Sequence, residues 1–365
     1  MDKNDLRSEI IKKLKSEDVV DKMYGIEDVR ELYPLDPPDD EILSSLIFYL
    51  KSDEVILQET ASRVLGHYPF SKVAKMLVPF LNDPSIELRN AVNLIFHNFG
   101  NNKEVFDILI PLLKNEDEDT VIFVLDILIQ VADEFCFESV TETINHRNEN
   151  VVLKAYEVIG SIGGKKSESF LLDQLKNNKL DTVQKGTIIL QLSKFNNSEL
   201  ENLIINFEKE DETLLSLKCK SIGEFGSKES TAFLLGLLKT HQKKDFLLSS
   251  ILSALAKISV RNKKDFESWI SEDFDLTIYL NSGKPKVQKH AITILGVLKG
   301  KDYIDTLISF LKEDNKTLKE NALDALADDE SNKAKSIIRL MQYDSNQEVA
   351  MKARLIIQTK TLESE

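Results

Sequence analysis

The sequence predicts an all-α fold, a right-handed α-solenoid of about ten to eleven two-helix repeats, on three observations. A six-residue phrase with large apolar residues at its first and fifth positions recurs along the chain. Its ten starts differ by 31, 32, 31, 31, 32, 31, 42, 31 and 30 residues, the near-constant period of stacked units. Each copy is followed by a polar break and a second segment whose apolar residues recur at three and four positions, the spacing of one helix face.

The elements follow in chain order. Ile10–Lys15 (IIKKLK) is an atypical first copy with Gly25 in its small-residue slot, and Pro34–Asp40 (PLDPPDD) then breaks the chain, because consecutive prolines cannot continue a helix. Residues 1–40 are therefore expected to form an N-terminal helical cap and Pro-rich break, 41–360 the repeat array, and 361–365 a polar tail. The regular copies are Leu46–Lys51, Leu77–Asn82, Leu109–Lys114, Val140–Asn145, Leu171–Lys176, Leu203–Glu208, Leu234–Lys239, Leu276–Asn281, Leu307–Lys312 and Ile337–Gln342. Breaks such as NDPSIE after Leu81 and NSGKPK after Leu280 carry the Asp, Asn, Pro and Gly that cap helices or set turns. Small residues (Ala61, Ala155, Gly186, Ser250, Ala291, Ala322) fall midway along the second helices and let neighbours approach. Gly66, Gly160, Gly223 and Gly296 fall near the apolar ends of those helices, where C-terminal stops are expected. The long gap after Leu234 holds insertions near 241–245 and 260–273, with Trp269 expected on an extra helical turn. One helix pair cannot bury its apolar face alone, so stability comes from stacking.

This phrase–break–helix unit resembles the short HEAT-like repeats of phycobilisome-lyase-type proteins, in which an Asp follows the first helix and a Val-Arg pair opens the second. Asp83, Pro84, Leu88 and Arg89 match best; elsewhere the arginine slot holds Gln58, Gln288, Lys319 or Leu215. The resemblance covers about Leu46 to Gln358 and implies architecture more than activity.

Chemistry is sparse. Hydrophobic residues at 42% with 30% charged exclude general disorder. Cys136 and Cys219, with no CxxC, supply neither a disulfide framework nor a cysteine zinc site. His67, His97, His146, His241 and His290 are scattered over five repeats, each expected at a surface or helix end, and none precedes a Glu. That departs from the repeated His-Glu pairs that a resemblance to deoxyhypusine hydroxylases would require. Gly160–Ser167 (GSIGGKKS) has Lys165 where a phosphate loop needs Gly, so it reads as a repeat-ending turn. Cys136 lies among carboxylates that oppose a thiolate, and Glu116–Asp119 lacks the Gly and Glu of a calcium loop. No catalytic residue, metal or cofactor is expected. Met1–Glu9 is polar and no apolar run reaches bilayer length, which points to a cytoplasmic protein off the membrane.

Charge divides the chain. Residues 1–150 carry 15 Lys and Arg against 30 Asp and Glu, residues 151–365 carry 32 against 31, and the total is −14. This balance disfavours nucleic acid, whose phosphates demand a positive surface. The later basic clusters Lys165–Lys166, Lys243–Lys244, Arg261–Lys264 and Lys284–Lys289 read as solvated turns.

What remains is surface. Second helices of such solenoids line a concave groove, and helical register places Glu59, Arg63, Asn90, Asn93, His97, Asp126 and Glu157 there. Phe123, Phe135 and Phe137 offer aromatic anchors, though core positions suit them better. The reading is a non-catalytic scaffold or adaptor for a protein or peptide partner, basic where it meets the N-terminal half. The alternative is an accessory subunit of a cofactor-attaching, lyase-like or modifying enzyme, and nucleic-acid binding ranks third.

Overall fold

The computed structural model describes residues 3–177, 179–195, 197–207, 211–241, 244–271, 273–300 and 302–362. Among them all regular structure is helical, and no helix is long and apolar enough to cross a membrane. The chain divides into two units, Met1–Asn178 and Lys179–Glu365, a division with no counterpart in the sequence reading.

The first unit is a run of antiparallel hairpins: α1 (Lys3–Leu14) with α2 (Val19–Leu32), α3 (Asp40–Tyr49) with α4 (Val55–Leu65), and α5 (Ser71–Leu77) with α6 (Ile86–Phe99). It continues with α7 (Lys103–Leu109) and α8 (Glu118–Val131), α9 (Phe137–Thr143) and α10 (Glu149–Ile162), then α11 (Gly164–Leu175). The helices α5 and α7 tighten into 3₁₀ turns at Val78–Phe80 and Ile110–Lys114, where Pro79 and Pro111 have no N–H for the α-helical ladder.

The second unit opens with α12 (Thr182–Leu192) and pairs α13 (Ser198–Asn206) with α14 (Glu212–Phe225) and α15 (Lys228–His241) with α16 (Asp245–Arg261). The short α17 (Phe266–Trp269) is the extra turn expected at Trp269. Of the other expected insertion, Gln242 and Lys243 lie outside the described residues. Three more hairpins follow: α18 (Thr277–Leu280) with α19 (Pro285–Leu298), α20 (Tyr303–Leu311) with α21 (Lys316–Ala327), and α22 (Asn332–Met341) with α23 (Gln347–Leu362). Within each unit every second helix packs on the next: α2, α4, α6, α8 and α10 in the first, α12, α14, α16, α19, α21 and α23 in the second. Each unit is thus α-solenoid in architecture.

The phrase works because its first and fifth residues lie one turn apart and both face inward. Leu46 and Leu50, Leu109 and Leu113, Leu234 and Leu238, and Leu307 and Leu311 are all buried. Two copies are read one residue early: Leu203 is exposed while Ile204 is buried, and Ile338, not Ile337, is the core residue of α22. The polar breaks cap the second helices as expected. Ser85, Asp117, Asn148, Asp211 and Asn315 each accept a first-turn backbone N–H, a bond worth about 1 kcal/mol per cap.

The arginine slot varies in identity yet repeatedly ties the two helices of a hairpin. Arg89 Nη1 donates to the Asp83 carbonyl at 2.6 Å, Gln58 to Leu50 O at 2.9 Å and Gln288 to Leu280 O at 2.9 Å. Lys319 instead meets the buried carboxylate of Asp344 at 2.7 Å. Where the slot holds Leu215, the fully buried Lys218 one turn later donates to Ile205 O at 3.2 Å and to Phe207 O. In these cases the side chain satisfies a carbonyl or carboxylate that packing has removed from water.

The glycines correct the expectation of helix stops. Gly66 does cap α4, but Gly160, Gly223 and Gly296 lie inside α10, α14 and α19. A Cβ on Gly223 would meet Ala254 Cα at 3.1 Å, and one on Gly296 would meet Ala325 Cβ at 2.6 Å. These two glycines are crossing points between second helices, needed for closeness and not for conformation. The stops after α6 and α10 are Gly100 and Gly163, with φ of 61° and 72°, a left-handed turn that glycine adopts without strain.

Candidate functional site

In the first unit the seven expected groove residues all sit on second helices, α4, α6, α8 and α10. The residue nine positions after each N-cap forms a row: Glu27, Arg63, Leu94, Asp126 and Glu157. Neighbouring rungs pair. Arg63 grips the Glu27 carboxylate with both terminal nitrogens, and Lys154 lies 2.6 Å from Asp126 and 3.6 Å from Glu157. Burial is the largest single influence and works against the Lys154 charge, but the hydrogen bonds and charges of Asp126 and Glu157 together outweigh it, so its pKa is raised. Arg63, Asp126 and Glu157 are therefore already committed to ion pairs within the unit. Glu59, Asn90 and His97 are exposed and Asn93 half-buried, and none of the four makes a side-chain hydrogen bond or ion pair among the described residues. Leu94 lies among them, 53% exposed. The aromatic candidates separate: Phe137 is core, Phe123 lies under the Arg89 guanidinium at 5.0 Å, and Phe135 is exposed beside Lys103.

The second unit holds a feature that sequence reasoning missed, a cleft of about 1060 Å³ between α14, α16 and α19. It exists because α16 turns small side chains, Ser249, Ser250, Ser253 and Ala254, toward it. The Ser216 and Ser250 hydroxyls join at 2.8 Å across two helices. Four lysines line it. Lys257 pairs with Glu224 and Lys284 with Asp245, whereas Lys220 and Lys286 have no ion pair among the described residues. Phe246, in the first turn of α16, is 71% exposed at its edge. Lys284 and Lys286, read from sequence as solvated turn residues, thus help to wall a cavity. His290 corrects the histidine expectation: it lies mid-α19 in the cleft wall, and burial, aided by Lys289 and Lys257, pushes its pKa down to about 4.

A family model described as HEAT repeats matches residues 275–357, the hairpins from α18 through most of α23. Importin beta crystallised from polyethylene glycol is similar over 96% of this chain, with a TM-score of 0.56 and 14% identity. A second importin beta structure, from ammonium sulfate, is similar over 95%, also with a TM-score of 0.56 and 14% identity. This is a HEAT-repeat fold. The chain spans 60% and 57% of those two importin beta chains. No curated protein sequence matches it.

Within this fold the reactive side chains are placed for structure. Cys136 is buried, which pushes its thiol up, and its Sγ donates to Asp133 O at 3.0 Å. Burial, more than the neighbouring carboxylates, thus opposes its thiolate. Cys219 is pushed up to about 12 by burial. Among the described residues no three His, Cys, Asp or Glu side chains converge as a metal site. Gly163 and Gly164 form the turn from α10 to α11, and Asp117 of the acidic Glu116–Asp119 stretch caps α8.

Proposed function

We propose that the chain is a non-catalytic scaffold that binds a protein partner along its rows of second helices, with the acidic first unit meeting a basic surface. One observation carries the reading: Asn90, Asn93 and His97 flank the exposed Leu94 on α6, and they and Glu59 of α4 have no side-chain partner among the described residues, whereas Arg63, Asp126 and Glu157 on these second helices are held in ion pairs. An apolar contact with a polar, solvent-accessible rim is the anatomy of a protein interface. Unpaired carboxylate on an acidic unit favours a partner of opposite sign.

The test is affinity capture from native lysate at low and high salt, read by mass spectrometry, with the wild-type chain and Glu59→Lys/Leu94→Asp. The expected result is one stoichiometric protein, weakened by salt and lost in the double variant, while circular dichroism stays helical. Capture unchanged by both substitutions moves the interface elsewhere. Recovery of nucleic acid, or of a coloured small molecule, replaces the scaffold reading.

A further inference from the structure

The cleft between α14, α16 and α19 differs in kind from the first unit's face. It is concave, walled by Lys220 and Lys286 with no carboxylate partner among the described residues, edged by the exposed ring of Phe246 and floored by hydroxyls and Leu217. Its volume of about 1060 Å³ lies at the upper limit of the roughly 300–1,000 Å³ usual for small ligands, so a peptide segment fills it better than a metabolite does. Side chains around it total four lysines against Asp245 and Glu224, which leaves an excess of two positive charges in a chain whose total is −14.

We infer that this cleft docks an acidic peptide segment of a partner protein, its carboxylates facing Lys220 and Lys286 and one large apolar side chain seated against Phe246 and Leu217. Charge complementarity selects the occupant. A nucleic acid strand carries a phosphate about every 3.4 Å and needs a longer basic track, whereas two free lysines match two carboxylates. Ser253 and the Ser216–Ser250 pair can exchange hydrogen bonds with an extended backbone. His290 stays neutral near pH 7, with burial the first cause and Lys289 and Lys257 adding to it, so it adds a ring and a polar nitrogen without charge.

The experiment is fluorescence anisotropy of the full chain with a library of labelled ten-residue peptides. Each has Asp or Glu at two flanking positions and Phe, Leu, Trp or Ala at the centre; a Lys-flanked set and a single-stranded oligonucleotide accompany them. The expected result is saturable binding of acidic peptides with a large centre, weaker by ten-fold or more with the Ala centre. Lys220→Glu/Lys286→Glu should weaken binding at least ten-fold with an unchanged melting temperature, since neither lysine holds an ion pair among the described residues. Ser253→Trp should abolish it by filling the cleft. If no acidic peptide binds in a way that the lysine reversals weaken, the inference is overturned; tighter lysine-dependent binding of the oligonucleotide overturns it in favour of nucleic acid. Glu59→Lys should leave peptide binding intact, so failure here and failure of the first unit's interface are distinguishable.

Discussion

The two units share one repeat and differ in what they expose. Residues 1–178 contain 19 Lys and Arg against 33 Asp and Glu, so the whole negative excess lies there, whereas residues 179–365 contain 28 of each. Buried positions barely differ: Leu46, Leu77 and Leu109 of the first unit and Leu234 and Leu307 of the second are all fully buried at the same place in the phrase. The lesson is that close packing holds the inward positions to shape, while outward positions drift until one stretch of the scaffold is strongly acidic and the other is balanced. A second difference lies between the second helices. Twelve positions after the N-cap the second unit has Gly223 and Gly296 pressed on alanines of the next helix; in the first unit Gly66 and Gly160 hold that register on α4 and α10, but His97 holds it on α6 and Ile129 on α8.

The largest effect should expose that second difference. Gly296→Leu forces a side chain into Ala325 and is expected to cost about 3 kcal/mol by overpacking, while His97→Leu at the same register should stay within about 0.5 kcal/mol. Urea denaturation measures both, and equal costs would break the contrast. Ala291→Leu, at a fully buried slot of α19, should cost about 1–3 kcal/mol; an unchanged melting temperature would show that α19 can move away.

Acid should separate the units next. His290 is held near 4 by burial, below the roughly 6.5 of an unfolded histidine. Its neutral folded form is favoured above that value, so stability falls as pH drops from about 6.5 toward 4, where the unfolded chain binds the proton first. Asp39 of the first unit is held near 2, chiefly by the Arg7 guanidinium. Its contribution is whole above the unfolded value near 4 and is lost as pH falls toward 2. Melting temperature against pH should therefore show His290→Gln flattening the upper window and Arg7→Met the lower one. The reverse assignment would refute the charge placement.

The smallest effect concerns the exposed rungs. Arg63→Met, removing the pair with Glu27, should change stability by at most about 1 kcal/mol and become neutral in high salt. A larger loss, read by denaturation at two salt concentrations, would mean that the ladder itself holds the second helices together.

Architecture was legible in the sequence because burial is periodic. Leaving two large apolar residues one turn apart at a constant repeat spacing is enough to place first helices, and the Asp, Asn and Ser of the breaks place the second. Errors arose where two apolar residues compete for one inward position, as Leu203 and Ile204 do, or where a glycine serves a neighbouring helix. Gly223 and Gly296 look like stops along the chain; only Ala254 and Ala325, which come against them from the next hairpin, give the reason for them. The candidate face in the first unit was partly legible. Register put Arg63, Asp126 and Glu157 on second helices, but of the groups that neutralise them Glu27 holds the same register on α2, in the atypical first copy, and Lys154 lies six positions after its N-cap, so neither follows the recurring phrase.

By itself, then, the sequence determined the repeat, its helical hairpins, the capped turns and the excess of acid toward the N-terminus, since each depends on neighbours within a few residues or on composition. Tertiary structure alone decided which charges are spent on one another, where second helices touch through glycine, and that Ser216, Ser250, Lys220 and Lys286 meet around one cleft. Those outcomes depend on residues about one or two repeats apart being brought within a few ångströms, and no local pattern encodes that distance.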